Sequence, residues 1–161
     1  MVSKRKFSMT QVYHCLIQEN TATDWHHLMF HNIARPRAKL SMWLCCHGRM
    51  ATKERLYKFG LLQDTRYELC GHEVETLDHI LFNCKYSTVI WTGICNWMHL
   101  TGRIINLNWI KTWTHGKGWR KRLFKVVAAE TICAIWTQRN NYIFQKDSYT
   151  IDSDRNIKKY S

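Results

Sequence analysis

The chain has 161 residues, with 24 Lys and Arg against 12 Asp and Glu, 7 Cys, 9 His, and a hydrophobic fraction of 45%. That length holds one domain with a real core and excludes a polymerase or any enzyme of several domains. A formal net charge of +12 at pH 7 makes a surface that repels itself and attracts polyanions, so nucleic acid, anionic membrane and acidic protein are the partners to weigh first.

The first residues are basic at Lys4, Arg5 and Lys6, but Gln11, His14, Gln18 and Glu19 interrupt the apolar stretch that a secretory signal needs. The most apolar run, Val126 to Trp136, contains Glu130 and is about half the ~20 residues of a membrane span. The chain therefore reads as intracellular, nuclear or cytoplasmic and not secreted, with no membrane partner. Cysteines in that setting are small buried hydrophobes or metal ligands before they are a disulfide framework.

Segments of helical period follow one another with short polar breaks, so the expected fold is mostly α, an irregular helical bundle. Ser8 or Thr10 can cap a first helix carrying Val12, Tyr13, Leu16 and Ile17, and Thr23 or Asp24 a short second one with Trp25, Leu28 and Met29. Pro36 suits the first turn of a third helix, with Leu40, Trp43 and Leu44 on its inner face and Gly48 as its stop. Thr52 begins a fourth, which turns Leu56 and Phe59 inward and ends at Gly60. Lys85 to Met98 is expected to be helical, with Val89, Ile90, Ile94 and Trp97 inward. A break near Gly102 leads to a short helix over Asn108 to Trp113. The longest helix is predicted from about Trp119 to Phe144, its apolar face running through Trp119, Leu123, Val126, Ala129, Cys133, Trp136 and Ile143. From Lys146 the chain turns polar and is expected to fray.

Between Leu61 and Cys84 the pattern changes to a polar stretch rich in Cys, His, Asp and Glu, too polar to fold around a hydrophobic centre of its own. Cys70, His79 and Cys84 carry the soft and borderline donors that zinc takes in structural sites. Their spacing lets a knuckle supply Cys70 while a short helix from about Glu75 supplies His79 and delivers Cys84 just beyond its end. The bundle thus carries a small zinc-knuckle-like Cys/His insertion. A closed site wants four ligands, and Tyr67 occupies the position where a Cys-x-x-Cys knuckle would begin. His72 is the nearest substitute donor, with Asp64, Glu73 or a water behind it. On spacing alone, buried cysteines with surface histidines account for the segment as well as a metal site does.

At this point the sequence resembles the zinc-binding domain found C-terminal to the reverse transcriptase of plant non-LTR (LINE-type) retrotransposons. Phe7-Ser8 with Tyr13, Trp25, Pro36-Arg37-Ala38-Lys39 with Trp43, and His47 to Leu56 are similar to the family's opening segments. Cys70, Glu75-Thr76, His79-Ile80-Leu81-Phe82, Cys84 and Trp91 fall where the family has its second Cys, Glu-Thr, His-Leu-Phe, last Cys and closing Trp. Ile135-Trp136 through Arg139-Asn140 to Phe144 resembles the helix that commonly follows the domain. The match runs from Phe7 to Phe144. It implies a basic extension over 1–6, the zinc-binding-like domain over 7–100, a helical extension packing on it over 101–145, and a flexible tail over 146–161. The departure is Tyr67 in place of the first knuckle Cys, so the resemblance carries zinc ligation only to Cys70, His79 and Cys84, and implies zinc affinity weakened or lost.

Enzyme readings fail on the residues. His72-Glu73 would open a zinc-hydrolase helix only with a second His at the place of Thr76, and no Gly-rich phosphate loop or polymerase carboxylate motif is present. The chain reads as non-catalytic. Basic groups with aromatic neighbours at Arg37, Lys39, Arg49, Lys53, Arg55, Lys117, Arg120, Lys121 and Arg122 suit backbone phosphates without reading sequence, and Trp113 or Trp119 could stack on unpaired bases if exposed. The resemblance implies the same role, holding RNA or DNA nonspecifically for the reverse transcriptase of the parent element. Two other readings stand beside it: a structural or protein-interaction module, and a degenerate relic that retains neither zinc nor nucleic-acid binding.

Overall fold

A computed structural model describes residues 24–157 except 103 and 105, with side chains described to residue 143. The expected first helix, around Val12, Tyr13, Leu16 and Ile17, and the basic 1–6 extension lie outside the described residues. From Asp24 onward the chain runs through six α-helices: α1 (His26–Met29), α2 (Pro36–Cys46), α3 (Lys53–Lys58), α4 (Lys85–Trp97), α5 (Leu107–Thr114) and α6 (Trp119–Ile157). A π-helical turn, His79–Asn83, stands immediately before α4. Among the described residues there is no strand beyond a single antiparallel bridge between Arg66 and Val74. The fold is mostly helical, as composition and period require, and α6 continues in helical backbone past Phe144.

Local chemistry sets the helix ends. Pro36 opens α2, where its missing N–H costs nothing. Thr52 accepts from the Arg55 amide at 3.3 Å to cap α3, and Asn106 accepts from the Trp109 amide at 2.9 Å to cap α5. Gly48 and Gly60 stand just past α2 and α3 with φ of +60° and +71°.

The buried faces differ from those expected. In α2 the buried residues are Ala38, Ser41, Met42 and Cys45, while Leu40 is 56% exposed. Phe59 is 64% exposed and Lys53 is buried in its stead. In α4 Ser87, Trp91 and Cys95 are buried, whereas Val89 and Trp97 face solvent. In α6 the buried line is Phe124, Ala128, Ile132, Ile135 and Arg139, with Ala129 and Cys133 beside it, and Trp119 lies outside it. Ser87 is buried by its bond to Ile80 O and Lys53 by Glu68 and Asp64, whereas in α2 and α6 the reason is close packing. α2 packs along α6, and two helices approach closely where small residues let ridges enter grooves, so Ala and Ser win positions that bulk hydrophobicity assigns to Leu and Trp.

The most consequential buried contact is ionic. Glu75, fully buried, receives Nη2 of Arg139 in a short hydrogen bond and Nε at 3.3 Å. The same carboxylate accepts the Lys53 amide at 2.8 Å. The remaining Nη1 of Arg139 donates to Asn140 Oδ1 at 2.9 Å, and the guanidinium lies 5.0 Å over the Trp136 ring. Glu75 thereby joins α3, the Cys/His segment and α6 at one point. Arg139→Met should leave its carboxylate buried without a partner and cost about 3–5 kcal/mol of stability in urea unfolding. Glu75→Gln added to Arg139→Met should recover most of that loss, since a neutral amide still accepts from Lys53. A double variant no more stable than the single one would show that the buried charge is not the source of the cost.

Candidate metal centre

Three layers of local structure build the site. The Arg66–Val74 bridge closes a tight turn in which the Tyr67 amide donates to Glu73 O at 2.8 Å and the Gly71 amide to Tyr67 O at 2.8 Å. Gly71 takes a φ of +72°, a conformation a side chain would strain, and this reverses the chain directly after Cys70. Glu75 anchors the exit of the turn through its amide to Thr65 O at 2.7 Å.

Thr76 then starts the next layer, its Oγ1 accepting from the His79 amide at 3.0 Å. The chain from His79 to Asn83 forms a wide turn closed by the Cys84 amide on His79 O at 2.8 Å, a bond spanning five residues. On a regular α-helix a residue five positions on is displaced by about 140° around the axis. The wider π turn brings Cys84 back toward the side of His79.

Such a turn leaves carbonyls without regular helical partners, and α4 supplies donors. Ser87 Oγ donates to Ile80 O, Trp91 Nε1 to Leu81 O at 2.6 Å, and Thr88 Oγ1 to Phe82 O at 3.2 Å. Trp91 is also fully buried and lies 5.9 Å from the Phe82 ring. Its position as the closing Trp has a mechanical meaning: it holds the turn that presents Cys84.

These layers bring one ligand atom each of Cys70, His79 and Cys84 within 4.8 Å of one another. Cys70 Sγ lies 3.3 Å from His79 Nε2. Tetrahedral ligands about 2.0–2.3 Å from a zinc ion lie within about 4 Å of one another, so two thiol sulfurs and an imidazole nitrogen in this arrangement fit a metal ion. Burial pushes the Cys84 thiol up, and the neighbouring Cys70 adds to it. His72 and Asp64 do not join the cluster: His72 is exposed, and Asp64 pairs with Lys53 and Arg66.

Tyr67, which the resemblance sets in the place of a first knuckle Cys, is a core residue. It is 1% exposed, its ring meets the His79 ring edge-on at 5.5 Å, and its carbonyl lies 3.8 Å from Cys70 Sγ. Among the described residues its hydroxyl is the buried side-chain oxygen without a hydrogen-bond partner. Burial, with Cys84 next in effect, pushes its pKa well above the usual phenol range, so it stays neutral. Tyr67 therefore packs against His79 and leaves a three-residue donor set. A cavity of about 700 Å³ lined by Cys70, Cys84, His72 and Val89 adjoins it.

The basic residues fare unequally. Lys53 is corrected out of the exposed cationic surface: it is buried and bonded to Glu68 at 2.9 Å, with Asp64 at 3.7 Å. Arg55 donates to Gly48 O at 2.9 Å, and Arg49 lies 5.9 Å over Trp43. Arg120 is hydrogen-bonded to Met98 O and Lys121 to His115 O. Arg37, Lys117 and Arg122 are exposed. Trp113 is half-buried against Phe124 at 5.0 Å, whereas Trp119 is 70% exposed. Lys125, at the end of the same basic run, is half-buried. Nothing in the sequence pairs Arg139 with Glu75, 64 positions away.

The fold and this donor set define a small helical domain with a Cys/His turn that could hold a metal ion. Residues 7–91, more than half of the chain, match the family described as zinc-binding in reverse transcriptase, and the chain belongs to that family. No curated protein and no solved structure matches it. Arg139, which seats Glu75, lies beyond the matched residues.

Tyr67→Cys should raise the zinc bound per chain, measured by atomic emission after dialysis, because a further thiolate completes the coordination shell. The ring's loss opens the core, so the variant should melt below the natural chain in chelator and gain more on adding zinc. Equal zinc content in the two proteins would refute the three-ligand description.

Proposed function

We propose that this chain is a non-catalytic nucleic-acid-holding module that serves a reverse transcriptase, its Cys/His turn stiffened by one weakly held zinc ion at Cys70, His79 and Cys84. Zinc, when bound there, supplies a cross-link between the knuckle turn and the start of α4. The family's description supports the metal and the polymerase connection.

The observation that carries the nucleic-acid part is the fate of the acidic side chains. Asp24 faces Lys111, Glu54 faces Lys58, Asp64 and Glu68 face Lys53, Glu75 faces Arg139, and Glu130 faces Arg35. The chain's own cations already engage these carboxylates, so the net positive charge of the sequence is not cancelled by them and favours an external polyanion. No helix among the described residues is long and apolar enough to cross a membrane. A second reading, an interaction module, is favoured by the exposed apolar residues Tyr57, Phe59 and Leu61 around the end of α3.

Fluorescence anisotropy of the full chain on single-stranded RNA and DNA should show binding without base preference. Its affinity should fall steeply between about 50 and 200 mM salt, as counterion release requires. Absence of binding at low salt, with self-association in its place, would favour the interaction module.

A further inference from the structure

A second cavity, of about 880 Å³, lies far from the Cys/His turn, between α1, the 115–118 loop and the first turns of α6. Its apolar lining is Phe30, Ile33, Leu123 and Val126, and its basic lining Lys117, Arg122 and Lys125. No acidic residue lines it. Phe30 is 57% exposed, and its ring stacks on His26 at 3.9 Å, a two-ring platform at the cavity wall.

Hydrogen bonds between the helices fix the walls. Buried Asn32 donates to Leu28 O at 2.9 Å and to Lys125 O at 3.2 Å, tying the end of α1 to α6. His27 Nε2 lies 3.0 Å from both Lys111 O and Thr114 Oγ1, which ties α1 to α5, and burial holds this imidazole below its ordinary value. Arg35 grips Glu130 with its backbone amide at 3.0 Å and its Nε at 2.9 Å. The cavity is thus preformed.

Three cations lining one cavity repel one another. Burial holds Lys125 below its ordinary value, and Arg122 and Lys121 add to the effect. Neighbouring Arg120 and Lys121 are bonded to backbone carbonyls of the chain, whereas Lys117, Arg122 and Lys125 make no ion pair among the described residues. The first turn of α6 carries no acidic residue, so its helix dipole adds positive potential at the same place. An anion would relieve this repulsion, and the apolar lining asks that the anion bring a flat apolar body with it. Phosphates and unpaired bases satisfy both demands. A duplex offers only the phosphates, because its base faces are stacked inside.

We infer that this cavity is a subsite for single-stranded nucleic acid, with phosphates at Lys117, Arg122 and Lys125 and a base lying on Phe30. The inference deepens the nucleic-acid reading above and rests on it.

The test uses the full chain with labelled single-stranded oligonucleotide, duplex of the same length, and anionic phosphatidylserine vesicles as probes. Lys117→Glu with Arg122→Glu should weaken single-strand binding at least about tenfold and lower the salt slope by about two. Arg37→Glu with Lys39→Glu, the same charge change on α2, should do much less. Phe30→Ala should weaken single-strand binding about tenfold while leaving duplex binding unchanged. All the changed side chains are exposed or half-buried, and unchanged helical circular dichroism and melting would confirm the fold. Equal losses in the two charge-reversed proteins, or a Phe30→Ala protein that binds single strands normally, would overturn the subsite while sparing the broader reading. Vesicle binding lost in the cavity variants with nucleic-acid binding intact would assign the cavity to a membrane surface and overturn it also. A natural chain that binds no nucleic acid at low salt would overturn both.

Discussion

Glu75 is fully buried, and its carboxylate is held by the Arg139 guanidinium and the Lys53 amide. Removing a carboxylate from water costs several kcal/mol, and only close opposite charge with well-made hydrogen bonds offsets it. The chain around this point is arranged to supply both. Arg139 has each nitrogen engaged, on Glu75 or on Asn140, and its flat face covers Trp136. Three segments distant in sequence meet here, and the pair ties the Cys/His turn to the long helix.

From Glu75 the consequences run directly to the metal centre. The next residue, Thr76, caps the amide of His79, and the wide turn that follows returns Cys84 to Cys70 and His79. Backbone carbonyls exposed by that turn are satisfied by Ser87, Thr88 and Trp91 from α4. Glu-Thr, the His-Ile-Leu-Phe run, Cys84 and Trp91 are therefore parts of one device. Tyr67 modifies it without dismantling it, because its ring fills core volume beside His79. Packing holds the remaining three donors together.

The surface follows a different rule. Six carboxylates, Asp24, Glu54, Asp64, Glu68, Glu75 and Glu130, have cationic partners within the chain, and several cations of the basic runs are bonded to carbonyls: Arg55 to Gly48, Arg120 to Met98, Lys121 to His115. Charge left at Lys117, Arg122 and Lys125 is concentrated beside apolar surface rather than spread over a solvated face. Cations paired with the chain itself have little left to offer a phosphate, so a formal count of Lys and Arg overstates the surface available to a ligand.

The sequence by itself determined the helical class, the helix ends at Pro36, Thr52, Gly48 and Gly60, the net charge, and the identities of Cys70, His79 and Cys84 as donors. These are properties of residue type and of neighbours a few positions away, and the local backbone obeys them. Only the tertiary structure decided which faces are buried, since Ala38 and Ser41 outcompete Leu40 where α2 meets α6, a matter of how closely two helices can approach. It alone decided that Lys53 is internal, that Tyr67 is core, and that Arg139 belongs with Glu75 across 64 positions of chain. The π turn was equally invisible, because a widened turn gains nothing locally and is stabilised by side chains of the following helix. Local preference is written in neighbouring residues, whereas burial, pairing and the availability of a charge are settled by what distant segments bring to the same place.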